Sequence, residues 1–292
     1  MKPSSFEFLT PSSLSEASAA LQDNPGAMII AGGQSLVPAL NFKLASPSVL
    51  VNIRKIPDLG DIEIVKNALV IGANVKHYQV EENKEVESKF PLMQEAMQYV
   101  AHTPIRNQGT LVGSLCHADS AAEMPILLVL TGGHVTAFGP NGKRNISASD
   151  FFRFHMTTTR ADNEIITHAH FPIPKESSGY SFVEFARRSG DYAISAIAVL
   201  MEVDDNDLIS SIGVAAGGIA SCPTKLSDVE KVLLGKSLNA TDIEHASEIC
   251  KNYVTAPDDV HAKLDYRKHL TSKLLTKALL EAKKRAKKGN SE

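Results

Sequence analysis

An α+β fold in two parts is predicted by three observations. Over residues 1–171, short apolar runs that close on glycine turns alternate with stretches of helical spacing. The segment Pro172–Gly179 then gathers two prolines, two serines and a glycine, which is linker composition. Beyond it, strand-like runs come first and helix-like runs last, the order of an α+β domain rather than of alternating βα units. The 292 residues leave room for two domains, at about 100–200 residues each.

The elements follow in order. Pro11–Leu21 reads as a helix opening on Ser12 or Ser13, with Glu16 in capping-box position. Ala27–Ala31 is a strand running into Gly32–Gly33, and Leu36–Pro38 with Asn41 opens no obvious helix. Val49–Ile53 and Leu69–Ile71 are strands. Pro91–Ala101 sets Leu92, Met93, Ala96, Met97 and Val100 at helical spacing. Thr103–Pro125 is rich in Gly, Ser, Thr, Ala and Asp, which suits a ligand-cradling backbone better than a core strand. After the apolar Ile126–Leu130, Val135–Phe138 and Lys143–Ile146 form a hairpin, and Ile165–Phe171 alternates as a strand. Past the linker come strands at Tyr180–Ala186, Ile194–Val203 and Leu208–Ala215. Helices follow at Leu226–Leu234 and Asp242–Val254, and a last one starts near Asp265.

Composition excludes several classes. The formal charge is −3, and the apolar fraction is 43%, near the globular range of about 45–50%, so the chain is neither disordered nor collagen-like. Three scattered cysteines, Cys116, Cys222 and Cys250, form no CxxC pair and no disulfide scaffold. They argue against a zinc or iron–sulfur site carried by this chain and favour a reducing, cytoplasmic setting. No apolar run spans a bilayer, and Met1–Thr10 lacks the apolar core of a secretory signal. Residues 273–292 hold seven basic and two acidic side chains. With no accompanying aromatic patch, this end reads as a solvated helix terminus, not a nucleic-acid arm.

Three segments carry possible chemistry. Ala31-Gly32-Gly33-Gln34-Ser35 follows a strand, and its paired glycines expose successive N–H groups of the kind that bind anions. It is not a GxGxxG fingerprint, and a plain tight turn is the alternative. The second runs from Asn107 to Asp119 and holds Gly109, Thr110, Gly113, Ser114, Cys116 and His117. Glycine and hydroxyl groups suit phosphate oxygens, and the Asp119 carboxylate suits a polyol; alternatively, Asp119 or Ser120 caps a helix containing Glu123. In the third, Arg187-Arg188 near Tyr192 would clamp an anion or lie solvated on a strand edge. His168 and His170 share one strand face, but no third ligand stands nearby in sequence, so no metal is expected. Cys116 has no base beside it and is not read as a nucleophile.

Together, AGGQS, TLVGSLCHADSAAEMP, FARRSGDYAI and Asp265-Tyr266-Arg267 resemble the FAD-binding medium subunit of molybdenum hydroxylases, the xanthine dehydrogenase and carbon monoxide dehydrogenase family, over roughly residues 3–280. The resemblance implies a vanillyl-alcohol-oxidase-type FAD domain of two α+β subdomains, residues 1–175, and a small α+β C-terminal domain, residues 176–292. It implies that Ala31, Gly32, Gly33, Gln34 and Ser35, with Leu36 beside them, hold the flavin pyrophosphate. Thr110, Gly113 and Ser114 form the second loop, and Asp119 bonds the polyol. Thr103 and His117 flank these loops, Ile165 lies against the ring system, and Tyr192 approaches the isoalloxazine. No catalytic residue and no metal ligand is implied on this chain.

FAD would take electrons from two [2Fe–2S] clusters on a small partner subunit and pass them to an external acceptor. A large partner subunit with a molybdenum–pterin cofactor would hydroxylate the substrate, the whole being a dimer of heterotrimers. The alternatives are a standalone FAD-dependent oxidoreductase and a flavin-free scaffold subunit. Two departures from the family pattern matter. Val112 replaces a glycine, so either its side chain points away from the phosphates or the loop shifts, and Glu184 stands where some relatives carry a lysine.

Overall fold

The computed structural model describes residues 2–289, with side chains described through Ala286. The side chains of Lys287, Lys288 and Glu292, counted in the basic end, lie outside the described residues.

The chain starts with a three-stranded parallel sheet of β1 (Glu7–Leu9), β2 (Met28–Ile30) and β3 (Val49–Asn52), in the order β1-β3-β2. The expected first helix is α1 (Leu14–Asp23). Ser13 caps it, accepting from Glu16 N at 3.1 Å, while the Glu16 carboxylate reaches back to Ser12 N at 2.7 Å. A helix that the sequence does not announce, α2 (Leu36–Asn41), leaves the first glycine loop. Its six residues carry Pro38 and no side-chain cap, so local signals for it are weak.

The next unit is antiparallel. After β4 (Ile62–Val65) and β5 (Ala68–Gly72) come six short helices: α3 (His77–Glu81), α4 (Lys84–Lys89), α5 (Pro91–Met97), α6 (Thr103–Arg106), α7 (Leu111–His117) and α8 (Glu123–Thr131). The expected hairpin is β6 (His134–Gly139) with β7 (Gly142–Ser147). Then follow α9 (Ala148–Phe151), β8 (Phe152–Phe154), β9 (Thr157–Thr158) and β10 (Ile165–Pro172). The sheet order is β4-β5-β10-β6-β7.

Beyond the linker, β11 (Gly179–Phe185), β12 (Ser195–Val203), β13 (Ile209–Gly217) and β14 (Thr224–Lys225) form an antiparallel sheet in sequential order. The chain continues through α10 (Ser227–Leu233), α11 (Ala240–Lys251) and α12 (Leu264–Gly289). This sheet is covered on both faces, which is why β12 reads as a near-continuous apolar run. Val199, Leu275, Leu279 and Val229 share a core on the α10–α12 side. Ala196, Ala198 and Ala215 join Met124, Ile126 and Leu127 of α8 in the other core. Helix α8 is apolar all round because it lies between two sheets.

Candidate functional site

The first glycine loop rests on the end of parallel strand β2, and Ile53 N donates to Ile30 O at its base. Gly33 has φ +76°, the left-handed region that glycine enters freely. Gly32 is needed for another reason. A Cβ there would lie 2.6 Å from Gln108 O, 2.7 Å from Gly109 Cα and 2.9 Å from Thr110 N. The two loops singled out in the sequence are therefore in backbone contact. The amides of Gly32, Gly33, Gln34 and Ser35 donate to no acceptor among the described residues, and Ser35 caps nothing with its hydroxyl. Such a row of free N–H groups on a left-handed turn suits a diphosphate.

The second segment is more helical than its composition suggests. Thr110 is the N-cap of α7 and accepts from Gly113 N at 3.1 Å. A Cβ on Gly113 would lie 2.6 Å from the Thr110 Oγ1, so a larger residue here would have to displace the capping hydroxyl. Val112 is 1% exposed and belongs to the core. Its side chain points away from the loop face, the first of the two alternatives that the departure from the family pattern leaves open. Ala118, at φ +54°, ends the helix. Asp119 follows, 6% exposed, and its Oδ1 accepts from Ala121 N at 2.9 Å. Asp119 thus braces the turn between α7 and α8 and does not cap α8, whose N-cap is Ala122. Ser114 and His117 lie half-buried on α7, and burial lowers the His117 pKa.

Tyr192 comes from the loop between β11 and β12 and meets these groups. The residue is 57% exposed, but its hydroxyl lies beside Ser35, where loss of solvent together with the Asp119 and Glu123 charges pushes its pKa up to about 12. The same loop packs on the segment before α6, for a Cβ on Gly190 would lie 2.6 Å from His102 Cε1. Thr103, exposed at the start of α6, borders that contact. Ala31, Gln34 and Leu36 are half-buried around the first loop. Ile165 stands apart, with its side chain fully enclosed in the core.

Sequence reasoning gave no role to Glu123 or Arg54, and marked Glu184 only as a departure from the family pattern. Glu123, 8% exposed, is raised to about 7 by burial, with Asp119 adding repulsion. Glu184 is raised to about 9 by burial and by Glu123, and its Oε2 is buried without a hydrogen-bond partner. Arg54, just past β3, donates its Nε–H to Ala31 O at 2.5 Å. A cation directly after the strand that pairs with β2 was the available signal for it.

Other candidates have structural roles. Arg187 donates to Val260 O and His261 O at 3.0 and 3.1 Å. Arg267 is 4% exposed and ties Ile194 O, Gly218 O and the Asp259 carboxylate together. His170 stacks on His134 at 4.2 Å and bonds Thr136 Oγ1 at 2.9 Å. Burial raises the Cys116 thiol to about 11, leaving it protonated.

Comparison with known proteins matches this geometry. A family model described as the FAD binding domain in molybdopterin dehydrogenase matches residues 4–174. A second, the CO dehydrogenase flavoprotein C-terminal domain, matches residues 180–282. The nicotine 6-hydroxylase medium subunit of Paenarthrobacter nicotinovorans is 36% identical over 97% of this chain and 99% of that protein. A carbon monoxide dehydrogenase structure from Hydrogenophaga pseudoflava superposes with a TM-score of 0.95 at 29% identity, covering 98% of this chain and 99% of the other. Quinoline 2-oxidoreductase from Pseudomonas putida 86 does so with a TM-score of 0.93 at 33% identity, covering 98% and 99%. With its two glycine loops in contact and both domain types matched, the chain belongs to the FAD-binding medium subunits of the multi-subunit molybdenum hydroxylases.

Proposed function

We propose that the chain is the flavin electron relay of such an assembly. Residues 1–175 hold FAD, and residues 176–292 form the C-terminal domain that closes over it. The single observation that carries this reading is the row of unpaired amides at Gly32–Ser35, held against Gln108–Thr110 and met by Tyr192. Bound FAD supplies a centre that takes up and gives out electrons, and the protein's tasks are binding and orientation. The amides of Gly32 to Ser35 hold the diphosphate, and the Ser35 hydroxyl adds a donor. Asp119 offers its second carboxylate oxygen to the polyol, since its first is held by Ala121 N. Thr110, Gly113 and Ser114 fix the second loop, with Thr103 and His117 at its borders, and Tyr192 closes the C-terminal side.

In this reading two [2Fe–2S] clusters on a small subunit feed the flavin, and a large molybdenum–pterin subunit does the hydroxylation. The complex is a cytoplasmic dimer of heterotrimers. Support comes from relatives named as medium subunits, or as a subunit of a dehydrogenase complex. Coexpression with the neighbouring large and small subunits, followed by gel filtration and flavin, iron and molybdenum assay, tests it. Stoichiometric flavin in a two-copy assembly of all three chains is expected, and a flavin-free complex overturns it. In the Gly32→Ala variant the added Cβ drives the loops apart. FAD affinity should fall about tenfold or more, equivalent to about 1.4 kcal/mol. Unchanged retention in a flavin titration would remove the loops from the site.

A further inference from the structure

The first loop carries a feature that amides alone do not explain. Arg54 lies beside it, exposed, one residue beyond the Ile53–Ile30 hydrogen bond that ends the parallel ladder. Its backbone N–H is fixed by Asn52 Oδ1 at 3.2 Å. Its Nε–H is fixed by Ala31 O at 2.5 Å. These two bonds aim the rest of the guanidinium along the loop, so that Nη2 lies 3.7 Å from where a Gly33 Cβ would stand. No carboxylate lies within ion-pair distance of Arg54 among the described residues. Arg106, Arg144, Arg267 and Arg285, by contrast, each pair with an acid. An arginine held at its Nε and left without a counterion at its terminal nitrogens is set to receive an anion as a forked donor.

We propose that Arg54 is the charge partner of the flavin diphosphate: its terminal guanidinium nitrogens contact the phosphate oxygens that the Gly32–Ser35 amides cradle. This rests on the flavin reading given above and adds to it a full cation at the first loop. Glycine loops bind anions through partial charges that are weakly sensitive to salt. A full cation at a solvent-facing position makes the same binding depend on ionic strength, because the Debye length falls from about 10 Å at 0.1 M to about 3 Å at 1 M.

The experiment is a flavin titration of the 292-residue chain, followed by fluorescence quenching at several KCl concentrations. Wild type, Arg54→Gln and Arg54→Lys are compared, with inorganic pyrophosphate as competitor. Arg54→Gln keeps a donor for Ala31 O and removes the charge. It should weaken FAD about tenfold at low salt, equivalent to about 1.4 kcal/mol, flatten the salt dependence and bind pyrophosphate less well. Arg54→Lys should keep the wild-type salt dependence, because it keeps the charge. Wild-type affinity and an unchanged salt slope in Arg54→Gln would overturn the assignment and leave Arg54 as a brace on Ala31 O. If Arg54→Gln does not fold, a salt-independent wild-type affinity with no pyrophosphate competition overturns it equally. A wild-type chain that takes up no flavin at any salt concentration would instead overturn the flavin reading itself.

Discussion

Two carboxyl groups at the junction of the loops and the C-terminal sheet show burial overriding the ordinary ionisation of glutamate. Glu123 stands in the first turn of α8, where the helix dipole favours a negative charge. Burial outweighs that help and raises its pKa to about 7, and Glu184 beside it rises to about 9. Below pH 4.5, its ordinary value, Glu123 is protonated in both the folded and the unfolded chain. Between there and about 7 the unfolded chain ionises and the folded chain holds the proton. Stability therefore falls as pH rises through this window, by about 1.4 kcal/mol per unit and on the order of 3 kcal/mol in all. Glu123→Gln should remove that slope and be the more stable protein above pH 7, as read by urea unfolding across the range. Parallel curves for the two proteins would show that Glu123 ionises freely in the fold. The loop residues Gly32, Ser35 and Asp119 were candidates from the sequence, because a glycine pair after a strand and an acid after a glycine-rich stretch are local signals. Glu123 was not. Its burial depends on β12 and β13, more than sixty positions later, and nothing near it in sequence reports them.

At the scale of elements, α7 turns a polar segment into structure. Gly113 and Ser114 are poor helix formers, and the segment reads as loop for that reason. Two things hold it helical: the Thr110 cap, and the burial of Leu111, Val112 and Leu115. Thr110 is itself only 5% exposed, so its hydroxyl is not free to serve a ligand in the first place. Thr110→Ala should cost about 1 kcal/mol of stability through the lost cap, and also weaken FAD, because the first turn of α7 abuts the Gly32 loop. Thr110→Ser should restore both. Thermal unfolding and flavin titration on the same samples check this; an alanine variant that loses neither would mean the cap is dispensable. Two elements absent from the sequence reading, β1 and α2, share one physical cause. Strand β1 has three residues, and its partner β3 lies some forty positions away. Helix α2 is six residues long with a proline and no cap. Each is made by tertiary contacts, whereas β10, β12 and α12 are long enough for their own periodicity to show.

At the scale of the molecule, the prolines of 172–179 suggest a linker, but nothing local in the sequence reports how the residues on either side of it are fastened. The basic end was expected to be solvated. Instead Arg285 of α12 pairs with Glu95 of α5, donates to Tyr180 O at 2.8 Å and lies 4.5 Å over the Tyr180 ring. Glu95 has a second task, accepting from Phe182 N at 2.7 Å through its other oxygen. One carboxylate of the first half thus holds both a strand and the last helix of the second. The site needs this, because Tyr192 reaches Ser35 only if the β11–β12 loop keeps its place over the first half. Both partners are mostly buried, so removing one leaves a group unsatisfied and not merely unpaired. Glu95→Ala should cost about 1–3 kcal/mol, and Arg285→Ala somewhat less, since the Phe182 bond survives it. In a double-mutant cycle the two losses should fall short of additive, because they share the ion pair. Strict additivity in urea unfolding would mean that Glu95 and Arg285 act independently. FAD affinity should fall with stability in Glu95→Ala, while Lys84→Ala, which breaks an exposed pair on α4 with Glu87, should leave both unchanged. A Glu95→Ala chain that unfolds earlier yet binds FAD as tightly as wild type would show that Tyr192 and the rest of the second half contribute nothing to holding the flavin.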